Sequence, residues 1–185
     1  MDEHAEKRLI AFASQSVRQY GIRAVRMDAI ARDMGMSKRT LYKVYKSKDN
    51  FIRVCLASYA DRVSNLFRLL RLGATEPLDY LVELTKAFVT NLYKAEPVFW
   101  QDVTECYPHV YKMIWGTWTE ELERAVEECR QGKWLVGELD SRQYVSSLST
   151  LLYQARMAGS PVHSVSHSAC LLLRGSMTIE GILRF

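Results

Sequence analysis

The sequence lacks the features of a secreted or membrane-spanning protein. Its four cysteines lie far apart and form no CxxC pair, so we expect reduced thiols and no disulfides. No apolar run approaches the roughly 18 residues that a membrane-spanning helix needs. Residues 1–8 mix acidic and basic side chains, unlike a signal or transit peptide. These absences predict a cytoplasmic protein that does not contact a membrane.

The motifs of common enzymes are also missing. There is no nucleophile elbow, no glycine-rich phosphate loop and no set of four metal ligands. Two pairs of metal-ligating side chains are close in sequence, but each supplies only two ligands: Cys106 with His109, and His163 with His167. We therefore expect neither an enzyme nor a metal or cofactor site.

Helical periodicity runs along almost the whole chain, and no strand pattern accompanies it. Glycines end several of the periodic segments and prolines begin others, as is usual at helix boundaries. The pattern predicts an all-α fold of nine helices, at about residues 8–20, 27–34, 37–44, 48–73, 77–95, 97–107, 108–130, 141–158 and 164–185.

Charge is unevenly distributed along this predicted fold. Residues 1–72 contain 15 Lys and Arg against 7 Asp and Glu, whereas residues 73–185 contain 10 against 14. A basic surface attracts polyanions, because neutralising phosphates releases their counterions. The charge pattern therefore favours a nucleic-acid partner for the N-terminal part, if a binding motif lies there.

A helix-turn-helix is predicted between Met27 and Lys46. Gly35 allows the left-handed backbone of a tight turn, and Ser37 is placed to cap the second helix. Small and apolar residues recur where the two helices would pack: Met27, Ile30, Ala31, Met34, Met36, Leu41 and Val44. The basic side chains that remain lie at the end of the second helix that enters a major groove. The alternative is a plain helical hairpin with a solvated basic face.

This stretch resembles the N-terminal signature of TetR-type regulators. The family pattern Gly…Ile-Ala…Gly-x-Ser-x-x-Thr-Leu-Tyr…Phe-x-Ser-Lys is matched, within residues 8–55, by Gly21, Ile30, Ala31, Gly35, Ser37, Thr40, Leu41, Tyr42, Ser47 and Lys48. Val25 and Arg26 replace the hydroxyl residue that usually opens the second helix of the family. Tyr45 replaces Phe and adds a hydroxyl that needs a partner, and we expect Val44 beside it to pack inward.

The resemblance implies a three-helix head that binds operator DNA, residues 1–50, joined by a long fourth helix to a ligand-binding and dimerisation body, residues 51–185. It also implies phosphate contacts from Thr40, Tyr42 and Lys48. Lys and Arg commonly bind guanine, so Lys38, Arg39 and Lys43 are predicted to contact bases. Two further basic residues complete the predicted DNA surface: Arg26 and Lys46.

Two features of the body predict its partners. Apolar stripes on the last two helices predict a homodimer through a four-helix bundle. The alternative is that these stripes close the chain's own core. The residues are Leu148, Leu151, Leu152 and Ala155 on the first helix, and Leu172, Ile179 and Leu183 on the second. A central group of aromatic residues predicts a pocket for a small, largely apolar ligand, unless it is core: Tyr93, Phe99, Trp100, Tyr107, Tyr111, Trp115 and Trp118.

Together these features predict a transcriptional regulator that binds a pseudo-palindromic operator and, as a repressor, releases it when a ligand binds. The alternative is a helical interaction protein whose basic head binds acidic partners.

Overall fold

The computed structural model describes residues 2–185, and within them the all-α prediction is confirmed. Its only extended pairing there is an isolated bridge between Leu135 and Met177. The described residues form ten helices: α1 (Glu3–Tyr20), α2 (Met27–Asp33), α3 (Lys38–Tyr45), α4 (Lys48–Gly73), α5 (Pro77–Tyr93), α6 (Pro97–Cys106), α7 (Pro108–Gln131), α8 (Ser141–Met157), α9 (Val162–Gly175) and α10 (Ile179–Arg184).

The prediction of nine helices is wrong at the C-terminus, where the chain forms two helices, α9 and α10, in place of the single last helix that was predicted. The chain between α9 and α10 pairs with the loop that precedes α8: Val136 N donates to Ser176 O at 3.0 Å, and Thr178 N donates to Trp134 O at 3.0 Å. These hydrogen bonds interrupt the helix between Gly175 and Ile179. Thr178 then starts α10, since its hydroxyl accepts the Gly181 N–H at 3.2 Å.

The helix starts follow local chemistry. Asp2 accepts the Ala5 N–H at 2.7 Å before α1, and Asp140 accepts the Gln143 N–H at 2.8 Å before α8. Such side chains satisfy amide groups that have no partner inside the helix. Three helices instead begin with proline, whose missing N–H costs nothing in the first turn: α5, α6 and α7.

The chain divides into two compact units. The first reaches to Ser64 and also contains Ala95–Lys112, while the second contains Asn65–Lys94 and Met113–Phe185. The first unit is therefore larger than the head predicted at residues 1–50, because α6 belongs to it. The functional division at residue 50 stays a prediction.

Each unit has its own buried apolar core. In the first, α1 and the start of α4 supply fully buried residues, among them Leu9, Ala13, Phe51 and Ile52. In the second, α5 and α7 supply Leu84, Phe88, Trp118 and Leu122. None of the helices within residues 2–185 combines the length and hydrophobicity needed to cross a membrane.

Candidate DNA-binding surface and ligand site

The α2–α3 pair is held by buried small and apolar side chains. Met27, Ile30, Ala31 and Leu41 are each less than 5% exposed. Gly35 adopts a φ of 65° between the helices, and the Met36 N–H donates to the Ala31 carbonyl at 2.9 Å. The turn that the sequence predicts is therefore formed, with glycine at its left-handed position.

Helix α3 begins as predicted and presents its polar side chains to solvent. Ser37 Oγ accepts the Thr40 N–H at 3.0 Å and lies 2.8 Å from Thr40 Oγ1. The Lys38 ammonium lies 5.8 Å from the centroid of the half-buried Tyr42 ring. Of the five residues of α3 that are predicted to contact DNA, four are exposed: Lys38, Arg39, Thr40 and Lys43.

The inner face of α3 is formed by Leu41 and Tyr45, and not by Val44. Val44 is 42% exposed, whereas Tyr45 is 3% exposed, so the prediction that Val44 packs inward is wrong. Leu41 and Tyr45 are four residues apart and therefore share one helix face. The Tyr45 hydroxyl donates to Glu6 Oε1 at 2.9 Å. Glu6 is therefore the partner that the hydroxyl needs at this position, where the family usually has Phe.

A strained turn joins α3 to α4. Lys46 has a φ of 64° and a ψ of −45°, and the Ser47 N–H donates back to the Tyr45 carbonyl at 2.7 Å. This is a γ-turn of the rare kind with positive φ. Asn50 supports it, since its side-chain amide donates to the Tyr45 carbonyl at 3.0 Å and its N–H to Ser47 Oγ at 3.1 Å.

The two remaining cations of the predicted surface have partners within the chain. Lys48, in the first turn of α4, donates to the Arg23 carbonyl at 3.2 Å, and burial lowers its pKa. The Arg26 guanidinium pairs with Asp28 at 3.2 Å. As expected from the missing hydroxyl, no side chain caps α2. Phosphate binding by Lys48 and Arg26 stays a prediction.

Comparison with known families identifies this two-helix arrangement. The model of the family described as bacterial regulatory proteins, tetR family, matches residues 9–55. Residues 9–55 therefore carry the N-terminal domain of the TetR family. That family places a DNA-binding helix-turn-helix at this position, so the chain is a DNA-binding regulator. No curated protein sequence matches it significantly.

Solved structures share the TetR fold over nearly the whole chain. A transcriptional regulator from Saccharomonospora viridis in complex with choline is 14% identical, with a TM-score of 0.83 over 95% of this chain and 98% of that one. A TetR regulator from Haloarcula marismortui is 13% identical, with a TM-score of 0.79 over 96% and 100%. The ketosteroid regulator KstR2 of Mycobacterium tuberculosis is 15% identical, with a TM-score of 0.66 over 96% and 97%.

The aromatic residues predicted to line a pocket are divided between the two units of the chain. Four belong to the first unit: Phe99, Trp100, Tyr107 and Tyr111. Phe99 and Trp100 pack edge to face at 5.1 Å. Tyr107 hydrogen-bonds Asp49, and burial together with this bond raises the Tyr107 pKa to about 12. Tyr107 therefore ties α4 to the end of α6.

The other three, Tyr93, Trp115 and Trp118, belong to the second unit. Trp118 is 1% exposed and packs against Phe67 at 4.8 Å and Phe88 at 5.5 Å, so it is core. Half-buried Trp115 contacts Phe88 at 5.5 Å and Tyr153 at 5.4 Å. Half-buried Tyr93 donates its hydroxyl to the Ser160 carbonyl at 2.6 Å.

A groove in the second unit has a different character. Its volume is about 710 Å³, and charged side chains of α7 and α8 dominate its lining: Glu120, Glu123, Arg124, Glu127, Arg130, Asp140 and Arg142. Glu127 receives hydrogen bonds from Arg130, Gln131 and Ser141, which lower its pKa to about 2. None of the predicted pocket aromatics lines this groove.

The residues predicted for the dimer interface divide between core and surface. Leu148 is 4% exposed and Leu152 is fully buried, so both pack in the core of the chain itself. Ala155 is half-buried. The leucines and isoleucine that a partner could contact are Leu151 at 44%, Leu172 at 41%, Ile179 at 78% and Leu183 at 83% exposure.

The two short metal-ligand pairs stay incomplete. Cys106 and His109 are exposed, and His109 Nε2 lies 2.9 Å from Arg53 Nη1. No group of three or more His, Cys, Asp or Glu able to hold a metal ion occurs within the part of the chain that the structure describes.

Sequence reasoning missed one carboxylate beside the predicted DNA-binding surface. Asp102, on α6, is fully buried and binds Arg23 in the loop between α1 and α2. The sequence held a signal for this: Asp102 is three residues after Phe99 and next to Val103, so it shares the apolar face of α6. A charged residue on a buried face needs a partner.

Proposed function

We propose that this chain is a homodimeric, sequence-specific repressor that binds a pseudo-palindromic operator in the cytoplasm and releases it when a small ligand binds. The observation that carries the proposal is the exposed, basic N-terminal half of α3, set on a packed helix pair that matches the TetR family. An exposed basic helix in this setting suits the major groove of duplex DNA.

The contacts divide by chemistry. Thr40, Tyr42 and Lys48 bind phosphates and fix the register of α3, as the family resemblance implies. Lys38, Arg39 and Lys43 lie on the exposed side of α3, where their donors meet guanine O6 and N7. Arg26 and Lys46 add phosphate contacts at the two ends of the surface.

Dimerisation supplies the second half-site. Leu151, Leu172, Ile179 and Leu183 expose apolar surface on α8, α9 and α10. Apolar patches of this kind mark protein–protein interfaces. A two-fold dimer places two recognition helices about one DNA turn apart, roughly 34–36 Å, and this explains a pseudo-palindromic operator.

Half-buried aromatic side chains of the second unit are our proposed ligand site. Tyr93, Trp115 and Tyr153 are half-buried, so their rings offer apolar faces, with polar groups that can orient a ligand. In the same fold, the Saccharomonospora viridis regulator holds choline. A ligand releases DNA only if it favours the conformation that binds DNA poorly.

Fluorescence anisotropy with labelled genomic fragments tests DNA binding. We expect one duplex to resist competition by random DNA at moderate salt. Tyr42→Ala should weaken its binding about ten-fold, as expected for a lost phosphate contact. Tyr20→Ala, which removes a 57% exposed tyrosine from α1, is the matched control and should bind like the unmutated protein.

Two other results would contradict the proposal. Equal competition by random DNA would favour a basic head that binds acidic partners without sequence preference. An unchanged affinity after Tyr42→Ala would place the DNA contact elsewhere on the protein. For the ligand site, binding of a small apolar compound should change the fluorescence of the unmutated protein, should not change that of Trp115→Phe, and should lower operator affinity.

A further inference from the structure

Two hydrogen bonds join the buried Asp102 carboxylate to Arg23. The Asp102 side chain is 1% exposed. One carboxylate oxygen accepts the Arg23 backbone N–H at 2.8 Å, and the other accepts Arg23 Nε at 2.5 Å. Burying a carboxylate is costly unless it is paired and hydrogen-bonded. Arg23 therefore compensates Asp102, and Asp102 in return holds both the backbone and the side chain of Arg23.

The loop that carries Arg23 lies directly on α6. Gly21 has a φ of 83°, and a Cβ there would lie 2.6 Å from Asp102 Oδ2 and 3.0 Å from Val98 Cγ2. Only glycine leaves room for the carboxylate at this point. The Glu96 N–H also donates to the Arg18 carbonyl at 2.8 Å. The path of the α1–α2 loop is thus set by α6.

The same loop holds the lysine of the predicted phosphate contact. The Arg23 carbonyl accepts a hydrogen bond from Lys48 Nζ at 3.2 Å. Arg23 itself stays 61% exposed, and its Nη2 pairs with Glu105 on α6 at 3.2 Å. A chain of contacts therefore runs from the buried carboxylate, through Arg23, to the Lys48 ammonium.

We propose that Asp102 is a positioning residue for DNA binding: by fixing Arg23 it holds the Lys48 ammonium where it meets a backbone phosphate. This inference rests on the proposed DNA-binding function. Without the carboxylate the loop loses its anchor, the Arg23 carbonyl shifts, and Lys48 has to be ordered when DNA arrives. Ordering a long side chain on binding costs affinity.

The test is a double-mutant cycle with Asp102→Asn and Lys48→Met, measured as operator affinity against salt concentration. The carboxylate offers an oxygen acceptor to each of the two Arg23 donors. Asparagine has only one oxygen, and its NH₂ group would face the other donor, so it cannot replace the carboxylate. We expect Asp102→Asn to weaken binding about ten-fold and to lower the salt slope by about 0.9, the value for one phosphate contact.

In the Lys48→Met background, Asp102→Asn should have almost no further effect, because both changes remove the same contact. Glu105→Gln is the matched control: it removes the exposed partner of the same guanidinium and should change affinity less than two-fold. If Asp102→Asn shows no cooperative thermal unfolding, Arg23→Met takes its place in the cycle, with the same expectation.

The outcomes separate this inference from the function on which it rests. If Asp102→Asn weakens binding equally with and without Lys48, it acts on the fold in general, and the inference is overturned while DNA binding stands. The inference is likewise overturned, with DNA binding intact, if Asp102→Asn leaves the salt slope unchanged. If the unmutated protein retains no specific duplex, the proposed function and the inference fall together.

Discussion

Helices α3 and α10 are built alike but expose opposite chemistry. Both are short, and both begin at a hydroxyl that accepts a backbone N–H: Ser37 from Thr40 at 3.0 Å, and Thr178 from Gly181 at 3.2 Å. Helix α3 presents lysine and arginine to solvent, whereas α10 presents Ile179, Leu183 and Ile182. Exposed charge suits phosphate, and exposed apolar surface suits another protein. The cap therefore sets where each helix starts, and the exposed face decides what it binds.

The two helices are also anchored differently. Helix α3 buries the side chains of Leu41 and Tyr45. Helix α10 buries only Gly181, and a Cβ there would lie 2.4 Å from the Trp134 carbonyl oxygen. Buried side chains thus hold α3, whereas α10 is held by a close approach of backbone and by the Arg184 guanidinium, which pairs with Asp79 at 3.2 Å. Five predictions test this contrast.

The largest expected effect is on the anchor of α3. Leu41→Ala should lower the free energy of unfolding by about 2–5 kcal/mol, because it leaves a cavity at a fully buried site. Urea denaturation measures it, and operator affinity should fall as well. Val44→Ala, on the exposed side of the same helix, should change stability by under about 0.5 kcal/mol. Equal losses for the two variants would contradict the assignment of faces.

The exposed face of α10 gives the second prediction. Ile179→Ser combined with Leu183→Ser should raise the dimer dissociation constant about ten- to a hundred-fold, since it removes apolar surface that the partner buries. Sedimentation equilibrium measures the constant. Leu72→Ser removes a leucine on α4 that is 73% exposed and serves as the control. A dimer that is indifferent to the double substitution would show that α10 faces solvent.

The backbone contact of α10 comes third. Gly181→Ala should destabilise the protein by about 1–3 kcal/mol, because the added methyl group overpacks the Trp134 carbonyl. Limited proteolysis should then cut near the C-terminus sooner. A Cβ at Gly175 meets no atom within 4 Å, so Gly175→Ala should be tolerated. Tolerance at both glycines would mean that α10 is not held by backbone approach.

A smaller effect is expected from the polar bond of α3. Tyr45→Phe should cost about 0.5–1.5 kcal/mol, the usual worth of a hydrogen bond. Burial and Glu6 raise the pKa of Tyr45 above its ordinary value of 10. This contribution is therefore complete below pH 10 and is lost as pH rises toward the folded-state pKa.

Thermal unfolding between pH 8 and pH 11 checks the sign of this dependence. The gap in stability between the unmutated protein and Tyr45→Phe should narrow as pH rises above 10. Tyr20→Phe, at an exposed position on α1, should match the unmutated protein throughout. A gap that widens with pH would contradict the Tyr45–Glu6 bond.

The last prediction concerns the turn that ends α3. Lys46→Gly should be more stable than Lys46→Ala by about 1 kcal/mol, because a positive φ strains every residue except glycine. Both variants lose the same charge, so their operator affinities should fall equally. Chemical denaturation of the pair measures the strain alone. If alanine is the more stable residue, the γ-turn at Lys46 is not the conformation in solution.

Where local chemistry decided the structure, the sequence was a sufficient guide. Ser37 as a cap and Gly35 at the turn act through neighbours within a few residues, so the α2–α3 pair could be predicted. The α9–α10 break could not, because it depends on hydrogen bonds to residues 134–136, about 40 positions away. The separation of core Leu148 and Leu152 from exposed Leu151 likewise depends on which neighbours cover α8.

By itself, the sequence determined the all-α fold, the helix-turn-helix and the resemblance of residues 9–55 to the TetR family, since each rests on a short-range pattern. Tertiary structure alone decided that Asp102 is buried and bound to Arg23, 79 positions away, that Tyr45 finds Glu6, and that the predicted pocket aromatics are shared between two units. A buried charge or hydroxyl takes its partner from whatever element packs against it, and periodicity does not encode that choice.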